Sequence, residues 1–327
     1  MITRRALCNA GVAAGVSALA FPAGAQSSSS GQASRWPQQR VRVIIPYPPG
    51  GLVDQVARPV ADQLSQRLGQ PFIIENKPGA GATLGPQEVA RAKPDGYTLL
   101  IAPSAPIEIA PWLRDLSYSA EDFVPVARLA SSFGLITTHK SAPFNTYKEF
   151  IDAAKKAPGK YTFASYGAGT STHLTGVMLH KQAGIDLLHV PYKGSAPALI
   201  ELLAGRVDMM YEPSTLPRIK EGALKGLATF PNAIPGLDVS TLKEQGLDFN
   251  IPRSWFGLLA PKDTPAEIVS ILSKEIDQIL KRPEIKEQWM VSALYPNYMD
   301  TAGFQELIKQ ENQDYGKIIK EENIKAD

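Results

Sequence analysis

The sequence predicts an α/β protein of two domains, each built on a doubly wound, mainly parallel sheet with flanking helices. Short apolar runs alternate with helical periodicity along the 327 residues, and this alternation starts afresh near residue 135. Strands separated by helices favour parallel pairing, because each crossover helix covers a face of the sheet. A composition of 44% hydrophobic and 20% charged residues is globular and leaves room for two such domains.

The first series of elements opens with a strand at residues 41–45. A helix with an apolar stripe follows it and ends at Gly69. A strand at 72–75, a helix near 83–92 and a strand at 97–102 complete the series.

The second series opens with a strand at residues 135–138 and a helix that starts near Thr146, where Thr146 and Glu149 have the spacing of a capping box. The remaining predicted elements are strands at 161–165, 186–190 and 207–211 and helices at 171–183 and 196–204.

The last part of the chain is expected to return to the first domain. A strand at 255–260 precedes a helix whose start, Thr264 to Glu267, has capping-box spacing with proline at the first helical position. Two crossover segments, 132–138 and 253–260, would then form a hinge. The predicted organisation is a signal peptide at 1–25, a flexible polar lead at 26–35, a discontinuous domain 1 at 36–134 and 255–327, and domain 2 at 135–254.

The N-terminus has the pattern of an export signal. Arg4 and Arg5 precede an uncharged run at 6–21, and small residues favour cleavage near Ala25. Cleavage would remove Cys8, the only cysteine, and with it any disulfide, thiol nucleophile or thiolate metal site. The formal net charge of +2 becomes zero without the two arginines, so neither a nucleic-acid partner nor an anionic-membrane patch is predicted.

The first candidate binding segment is a proline-flanked double glycine between strand 41–45 and the helix that follows it. Its backbone N–H groups lie at the positive end of a helix dipole, where a carboxylate is stabilised by unpaired donors. Gly51 and Leu52 are the expected donors, directly or through water, whereas Asp54 is expected to order the turn, because like charges repel. The candidate ligand contacts here are Tyr47, Pro48, Gly50, Gly51, Leu52 and Asp54.

A second glycine-rich turn, at 79–85, superficially resembles a dinucleotide fingerprint. Its Gly-x-Gly-x-x-x-Gly spacing and an acidic residue before the turn do not fit that motif, so no nucleotide cofactor is expected. Ala80 and Gly81 are instead candidate ligand neighbours. Ser104 follows strand 97–102 at the carboxyl edge, where ligands bind in open α/β sheets; the alternative is a loop serine that faces water.

A third turn, at 164–173, precedes the helix at 171–183. Thr170, Ser171 and Thr172 are all candidate ligand contacts. One of their hydroxyls is expected to cap the helix, and Thr170 and Ser171 are the favoured contacts. Tyr166 lies in the same turn and is a further candidate.

Three more candidates follow the strands of domain 2. Tyr192 and Lys193 come after strand 186–190, although a solvated lysine is an open alternative for Lys193. Glu212 follows strand 207–211 and is positioned to accept a ligand hydroxyl or amine. Asp208 is interpreted as structural.

The histidines do not have the spacing of a metal site. His173 and His180 are seven residues apart on one predicted helix, and no carboxylate cluster accompanies them. Both are interpreted as structural, and His189 as part of a strand. No metal is expected.

Five motifs, in this order, resemble the periplasmic solute receptors of tripartite tricarboxylate transporters, the Bug receptors. They occupy residues 45–54, 75–81, 93–100, 166–174 and 189–194. The resemblance implies a type II, Venus-flytrap fold like that of periplasmic binding proteins, in which two domains close on a small organic acid for delivery to a membrane permease. It depends on the motifs jointly. Ala82 and Ala168 depart from the family pattern.

The ligand class predicted with this resemblance is a mono- or dicarboxylate, aliphatic or aromatic. The turns contain tyrosines but no arginine, which favours backbone donors and hydroxyls over a bidentate guanidinium. We expect a monomer in the periplasm without cofactor or catalytic residues. The alternative is an exported serine hydrolase that acts on a small ester or amide through Ser171, His173 and Asp208, but no Gly-x-Ser-x-Gly elbow is present.

Overall fold

The computed structural model describes residues 36–192, 195–249, 251 and 254–325. The predicted signal peptide (1–25), the lead (26–35) and Lys193 lie outside the described residues. Within the described part, no helix combines the length and apolar character needed to cross a bilayer.

The described residues form two sheets with flanking helices, which confirms the predicted two-domain α/β class. The strands are β1 (Val41–Ile45), β2 (Phe72–Asn76), β3 (Thr98–Pro103), β4 (Phe123–Ser132), β5 (Gly134–His139), β6 (Thr162–Ser165), β7 (Leu188–Pro191), β8 (Met209–Tyr211), β9 (Leu224–Phe230), β10 (Trp255–Pro261) and β11 (Leu294–Met299).

The helices lie between these strands and after them. They are α1 (Leu52–Leu68), α2 (Leu84–Ala90), α3 (Ala110–Leu113), α4 (Tyr147–Lys156), α5 (Ser171–Ala183), α6 (Ser195–Leu203), α7 (Leu216–Lys220), α8 (Ala266–Leu280), α9 (Pro283–Met290) and α10 (Thr301–Glu321). A π-helical turn, Ala105–Ile109, connects β3 to α3.

Both sheets are mixed rather than mainly parallel. The first has the order β11-β4-β10-β3-β1-β2, in which β1 pairs in parallel with β2 and β3 while β10 and β11 pair antiparallel. The second has the order β7-β6-β8-β5-β9, in which β6 pairs in parallel with β7 and β8 while β5 is antiparallel to β8 and β9. Each sheet therefore has a parallel trio extended by antiparallel strands.

The ends of two helices follow the sequence signals. α1 ends at Gly69 (φ 69°) and α5 at Gly184 (φ 62°), both left-handed positions where glycine has no Cβ penalty. At the start of α4, the Thr146 hydroxyl accepts the Glu149 N–H, as the predicted capping box requires. The Glu149 carboxylate bonds the N–H of Asn145 instead of Thr146, so the box is only half formed.

The predicted capping box at Thr264 is wrong. The Thr264 hydroxyl donates to the carbonyl of Pro261 at 2.7 Å, and α8 begins at Ala266 after an N-cap without a side-chain bond. The Thr264 hydroxyl therefore closes the turn after β10, and no side chain caps the start of α8.

Two connections join the sheets, a short one between β4 and β5 and a longer one between the end of β9 at Phe230 and the start of β10 at Trp255. Phe133 alone separates β4 from β5, and the other connection leads into β10. The N–H of Ser132 donates to the carbonyl of Ser254 at 3.2 Å, so the connections are bonded to each other. Gly134 is required here, because a Cβ would lie 2.2 Å from the Phe230 ring. The predicted domain boundaries near 134 and 254 fall in these connections and stay a prediction.

The two parts also touch through helices. Leu174 of α5 packs with Ile109 of the π-helical turn and with Tyr315 of α10 in one buried cluster. At the surface, Lys181 of α5 pairs with Glu321 at 2.6 Å and with Glu322 at 2.8 Å. The start of α5 is thereby held next to the turn that follows β3.

Candidate ligand-binding site

The turn between β1 and α1 presents helix N–H groups that no side chain caps. Gly50 (φ 85°) donates its N–H to the Asp54 carboxylate at 2.9 Å. Gly51 is the N-cap in an extended conformation, and it makes no side-chain cap bond. The first-turn N–H groups, beginning with that of Leu52, therefore remain as donors for an anion or for water.

Asp54 orders this turn, as the sequence predicted. Arg58 donates to both of its oxygens, at 2.7 and 2.9 Å, and the Asn76 amide donates to it at 3.3 Å. Asn76 also holds the Tyr47 carbonyl at 2.9 Å. Burial alone would raise the pKa of Asp54, but the bonds from Arg58, Gly50 and Asn76 hold it below its ordinary value. The side chain stays ionised and committed to the turn.

The other predicted contacts in this turn differ in exposure. Pro48, Gly50 and Gly51 are exposed, whereas Leu52 and Tyr47 are half-buried against the core beneath α1. Burial raises the pKa of the Tyr47 phenol to about 12. Tyr47 is therefore a neutral group at the base of the turn.

The turn before α2 contains four consecutive residues with positive φ: Gly79 (126°), Ala80 (47°), Gly81 (67°) and Ala82 (70°). Left-handed conformations are unfavourable for alanine, so this segment stores backbone strain. It is held by the Ala82 N–H, which donates to the Gly79 carbonyl, and by the Thr83 hydroxyl, which donates to the Ala80 carbonyl. The predicted contacts Ala80 and Gly81 are exposed on this rigid turn.

An arginine that the sequence analysis missed lies against this turn. Arg114 Nη1 donates to the Ala80 carbonyl at 3.1 Å, and a Cβ on Gly81 would lie 2.8 Å from the same guanidinium. The turns themselves contain no arginine, as noted from the sequence, but Arg114 adds a cation beside one of them. Its position after α3, far along the chain, gave no local signal.

Ser104 is fully buried at the carboxyl end of β3. Its N–H donates to the Trp255 carbonyl at 3.1 Å, while its hydroxyl has no partner among the described residues. This burial excludes the alternative of a loop serine that faces water. An unsatisfied buried hydroxyl is costly, so a ligand or an ordered water is its expected partner.

The three hydroxyls of the third turn have different partners. Thr170 is the N-cap of α5 and donates to the Gly167 carbonyl at 2.8 Å, so it is the capping hydroxyl, and its contact with the ligand stays a prediction. Thr172 accepts the N–H of Tyr166 at 3.2 Å. Ser171 is left as the one of the three hydroxyls without a bond to the described part of the chain.

His173 and His189 support this turn through hydrogen bonds and ring stacking, in the structural role predicted for them. His173 Nδ1 accepts the Gly169 N–H at 3.1 Å, and its ring stacks on His189 with centroids 3.8 Å apart. His189 Nε2 lies 2.6 Å from the hydroxyl of Ser165. The described residues contain no group of three His, Cys, Asp or Glu side chains placed to hold a metal ion.

The remaining candidates follow β7 and β8. Tyr192 donates its N–H to the Ser165 carbonyl at 2.9 Å, and its own carbonyl lies near Gly167. Glu212 is 1% exposed, and Ser195 donates to its Oε1 at 2.7 Å. Ser214 donates to the same oxygen. Burial raises the pKa of Glu212 to about 8.

Asp208 is structural, as predicted. Its carboxylate accepts both the N–H and the hydroxyl of Thr162, each at 2.8 Å. Asp208, the acid of the hydrolase alternative, thus links the start of β8 to Thr162 of β6. His173 is bonded to Gly169 rather than to Ser171.

All described candidates share one position in the fold. The turns after β1, β2 and β3 lie at the carboxyl edge of one parallel trio, and those after β6, β7 and β8 at the carboxyl edge of the other. Leu174 of α5 and Ile109 of the turn after β3 belong to one buried cluster, so the two edges are near each other there. This is the crevice position at which open α/β sheets bind ligands.

Two cavities of about 580 Å³ each border the described residues, and the first adjoins the turn between β2 and α2. One borders Asn76, Gln87 and Arg91 beside α2. The other lies between α5 and α10, at Met178, Lys181 and Glu311.

The fold and this site define a class: two-domain α/β ligand-binding proteins whose turns meet at opposed carboxyl edges. The profile described as "Tripartite tricarboxylate transporter family receptor" matches residues 56–324. The chain belongs to this family, whose receptors are periplasmic. The recognition made from the five sequence motifs is confirmed.

Solved structures agree with this assignment. The periplasmic binding protein BugD is 32% identical, with a TM-score of 0.74, over 89% of this chain and 99% of its own. Rpa4515 of R. palustris, solved with adipate, is 29% identical with a TM-score of 0.77 over 89% and 99%. MatC from Rhodopseudomonas palustris, with bound malate, is 28% identical with a TM-score of 0.72 over 87% and 100%.

Proposed function

We propose that this protein is a periplasmic solute receptor that binds a small organic acid between its two domains and delivers it to a tripartite tricarboxylate-type permease. It acts as a monomer after cleavage of a signal peptide near Ala25. The observation that carries the proposal is the uncapped start of α1, where Gly51 offers no side chain and the first-turn N–H groups are left for an anion.

Three further features support an acid as the ligand. A second helix start, that of α5, lies beside the turn that follows β3, because Leu174 and Ile109 belong to one buried cluster. The buried hydroxyl of Ser104 lacks a partner among the described residues. Two relatives have been solved with dicarboxylates, adipate and malate. We therefore place aliphatic dicarboxylates first among the mono- and dicarboxylates predicted.

The test is calorimetric titration of the mature protein with adipate, malate, terephthalate, benzoate, a polyamine and a neutral sugar. We expect saturable binding of at least one carboxylate and none of the polyamine or sugar. Tight binding of only a cationic or uncharged solute would contradict the proposal.

A further inference from the structure

Glu212 has the surroundings of a carboxylic acid rather than of a carboxylate. It is the first residue after β8. β8 pairs in parallel with β6, with Ala164 opposite Met210, and β6 leads into the turn before α5. The side chain is 1% exposed. It lies at the carboxyl edge of the second sheet and is almost completely shielded from bulk water in this conformation.

The two oxygens of Glu212 are treated differently by their neighbours. Oε1 accepts the hydroxyls of Ser195, at 2.7 Å, and Ser214, and these hydroxyls lie 2.9 Å from each other. Oε2 is buried and has no partner among the described residues. Oε1 thus has the surroundings of a carbonyl oxygen, and Oε2 those of a hydroxyl whose acceptor is missing.

No counter-charge within the described residues compensates an ionised Glu212. It takes part in no ion pair there, and its polar neighbours from α6 and from the turn after β8 are the two serine hydroxyls. On β8 itself, Tyr211 is a neutral phenol whose pKa is raised well above its ordinary value by burial. An isolated buried carboxylate is strongly unfavourable, so the neutral acid is the stable form.

We propose that Glu212 binds as a neutral acid and donates a hydrogen bond from Oε2 to a carboxylate oxygen of the ligand. This inference rests on the proposed function and replaces the acceptor role that the sequence suggested for Glu212. Ionised, the same residue would repel an anionic ligand, so one side chain both recognises the acid and limits the pH range of binding.

The raised pKa of about 8 supports this assignment and sets the expected pH profile. Below pH 8 the affinity for a fully ionised dicarboxylate is expected to be constant. Above pH 8 a proton must be taken up on binding, so affinity falls about tenfold per pH unit.

The binding test is calorimetry with malate and adipate from pH 6.5 to 9.5 on wild type, Glu212→Gln, Glu212→Leu and Glu221→Gln. Gln keeps both an acceptor and an uncharged donor, so its affinity at pH 6.5 stays within about threefold and the fall above pH 8 disappears. Leu loses the donor and about tenfold or more in affinity at every pH. The control Glu221 is exposed and paired with Arg218, and its variant keeps the wild-type profile.

A second readout does not depend on the ligand. Infrared difference spectra of wild type minus Glu212→Gln at pH 7 should contain a protonated-carboxyl C=O band, and this band should disappear by pH 9.5. The inference would be overturned by any one of three results, each of which leaves the proposed function intact. These are the absence of this band at pH 7, a wild-type affinity that stays flat or rises up to pH 9.5, and wild-type affinity in Glu212→Leu. Failure of the wild type to bind any carboxylate would overturn the proposed function and, with it, this inference.

Discussion

At the scale of single residues, the candidate site depends on backbone groups that particular side chains leave free or hold in place. Gly51 leaves the start of α1 uncapped, and Asp54 fixes the turn in front of it through Gly50. The sequence identified both residues, because glycine and an early helical acid are local signals. It could not identify Arg114 or the pairing of Ser195 with Glu212, which arise only when distant segments meet.

The donor role of the α1 start can be tested by removing one N–H. Leu52→Pro deletes the N–H at the first helical position, where proline is tolerated, and the extended Gly51 before it suits a following proline. Leu52→Ala is the matched control that loses the side chain but keeps the N–H. We expect Leu52→Pro to bind carboxylate about 10- to 100-fold more weakly than the control, because it loses one hydrogen bond to a charged acceptor. Equal affinities by calorimetry would contradict this role.

Asp54 should contribute to stability as well as to binding. Asp54→Asn loses the ion pair with Arg58, and we expect the free energy of unfolding at pH 7 to fall by about 1.5–3 kcal/mol, as for other bonds to charged groups. The pKa of Asp54 is lowered in the folded protein, so its contribution is present above the ordinary carboxyl range and is lost as pH falls through the folded value. The difference from wild type should therefore shrink in acid.

Urea unfolding at pH 7 and at low pH measures both effects. Asp152→Asn is the control, because Asp152 forms an exposed pair with Lys148 on α4. Its change should stay within about 0.5 kcal/mol. A stability difference for Asp54→Asn that does not depend on pH would be inconsistent with the proposed ion pair.

At the scale of elements, the sequence predicted helices and strands that are bounded by local signals such as capping residues and glycines. It did not predict strands whose position depends on pairing with distant segments. The bounds of α5 follow from a threonine before the helix and Gly184 after it. β4 is a long, almost wholly buried strand on which the helices α8 and α10 pack, so its sequence does not alternate between polar and apolar residues. Parallel or antiparallel pairing is a property of two distant segments, so the sequence pattern alone did not yield the mixed sheets.

The histidine cluster beneath the α5 turn should make the second domain acid-sensitive. Burial, with smaller effects of His173 and His189, lowers the pKa of His180 to about 3, and its Nε2 lies 2.6 Å from the Tyr211 hydroxyl. A histidine with a lowered folded pKa stabilises fully above pH 6.5 and loses that stability as pH falls towards 3, because only the unfolded chain takes up the proton.

The expected loss from His180 is about 2 kcal/mol between pH 6.5 and pH 5, at about 1.4 kcal/mol per pH unit. His180→Gln has no titrating ring, so its free energy of unfolding should fall by that much less over the same interval. Denaturant unfolding of wild type and variant at both pH values measures the difference. The same fall in both proteins would rule out this role for His180.

At the scale of the whole molecule, the arrangement of the two domains is stabilised by contacts between α5 and α10. Lys181→Glu places three carboxylates together with Glu321 and Glu322, so it should favour separated domains and weaken carboxylate binding about two- to fivefold, the worth of an exposed ion pair. Lys148→Glu is the control, because its partner lies within α4.

X-ray scattering with calorimetry decides this prediction. We expect a larger radius of gyration for ligand-free Lys181→Glu than for Lys148→Glu, and the same value for both when ligand is saturating. Identical ligand-free radii together with equal affinities would contradict a role for this contact in closure.

The bond between Ser132 and Ser254 makes the two connections a single ribbon, continued by the antiparallel pairing of Ser131 with Trp255. A two-stranded ribbon flexes easily out of its plane but resists sliding of one strand along the other, since sliding would break the bonds between them. We therefore expect the two domains to move by bending this ribbon rather than by sliding along it, so that the proposed closure on a ligand follows a single coordinate.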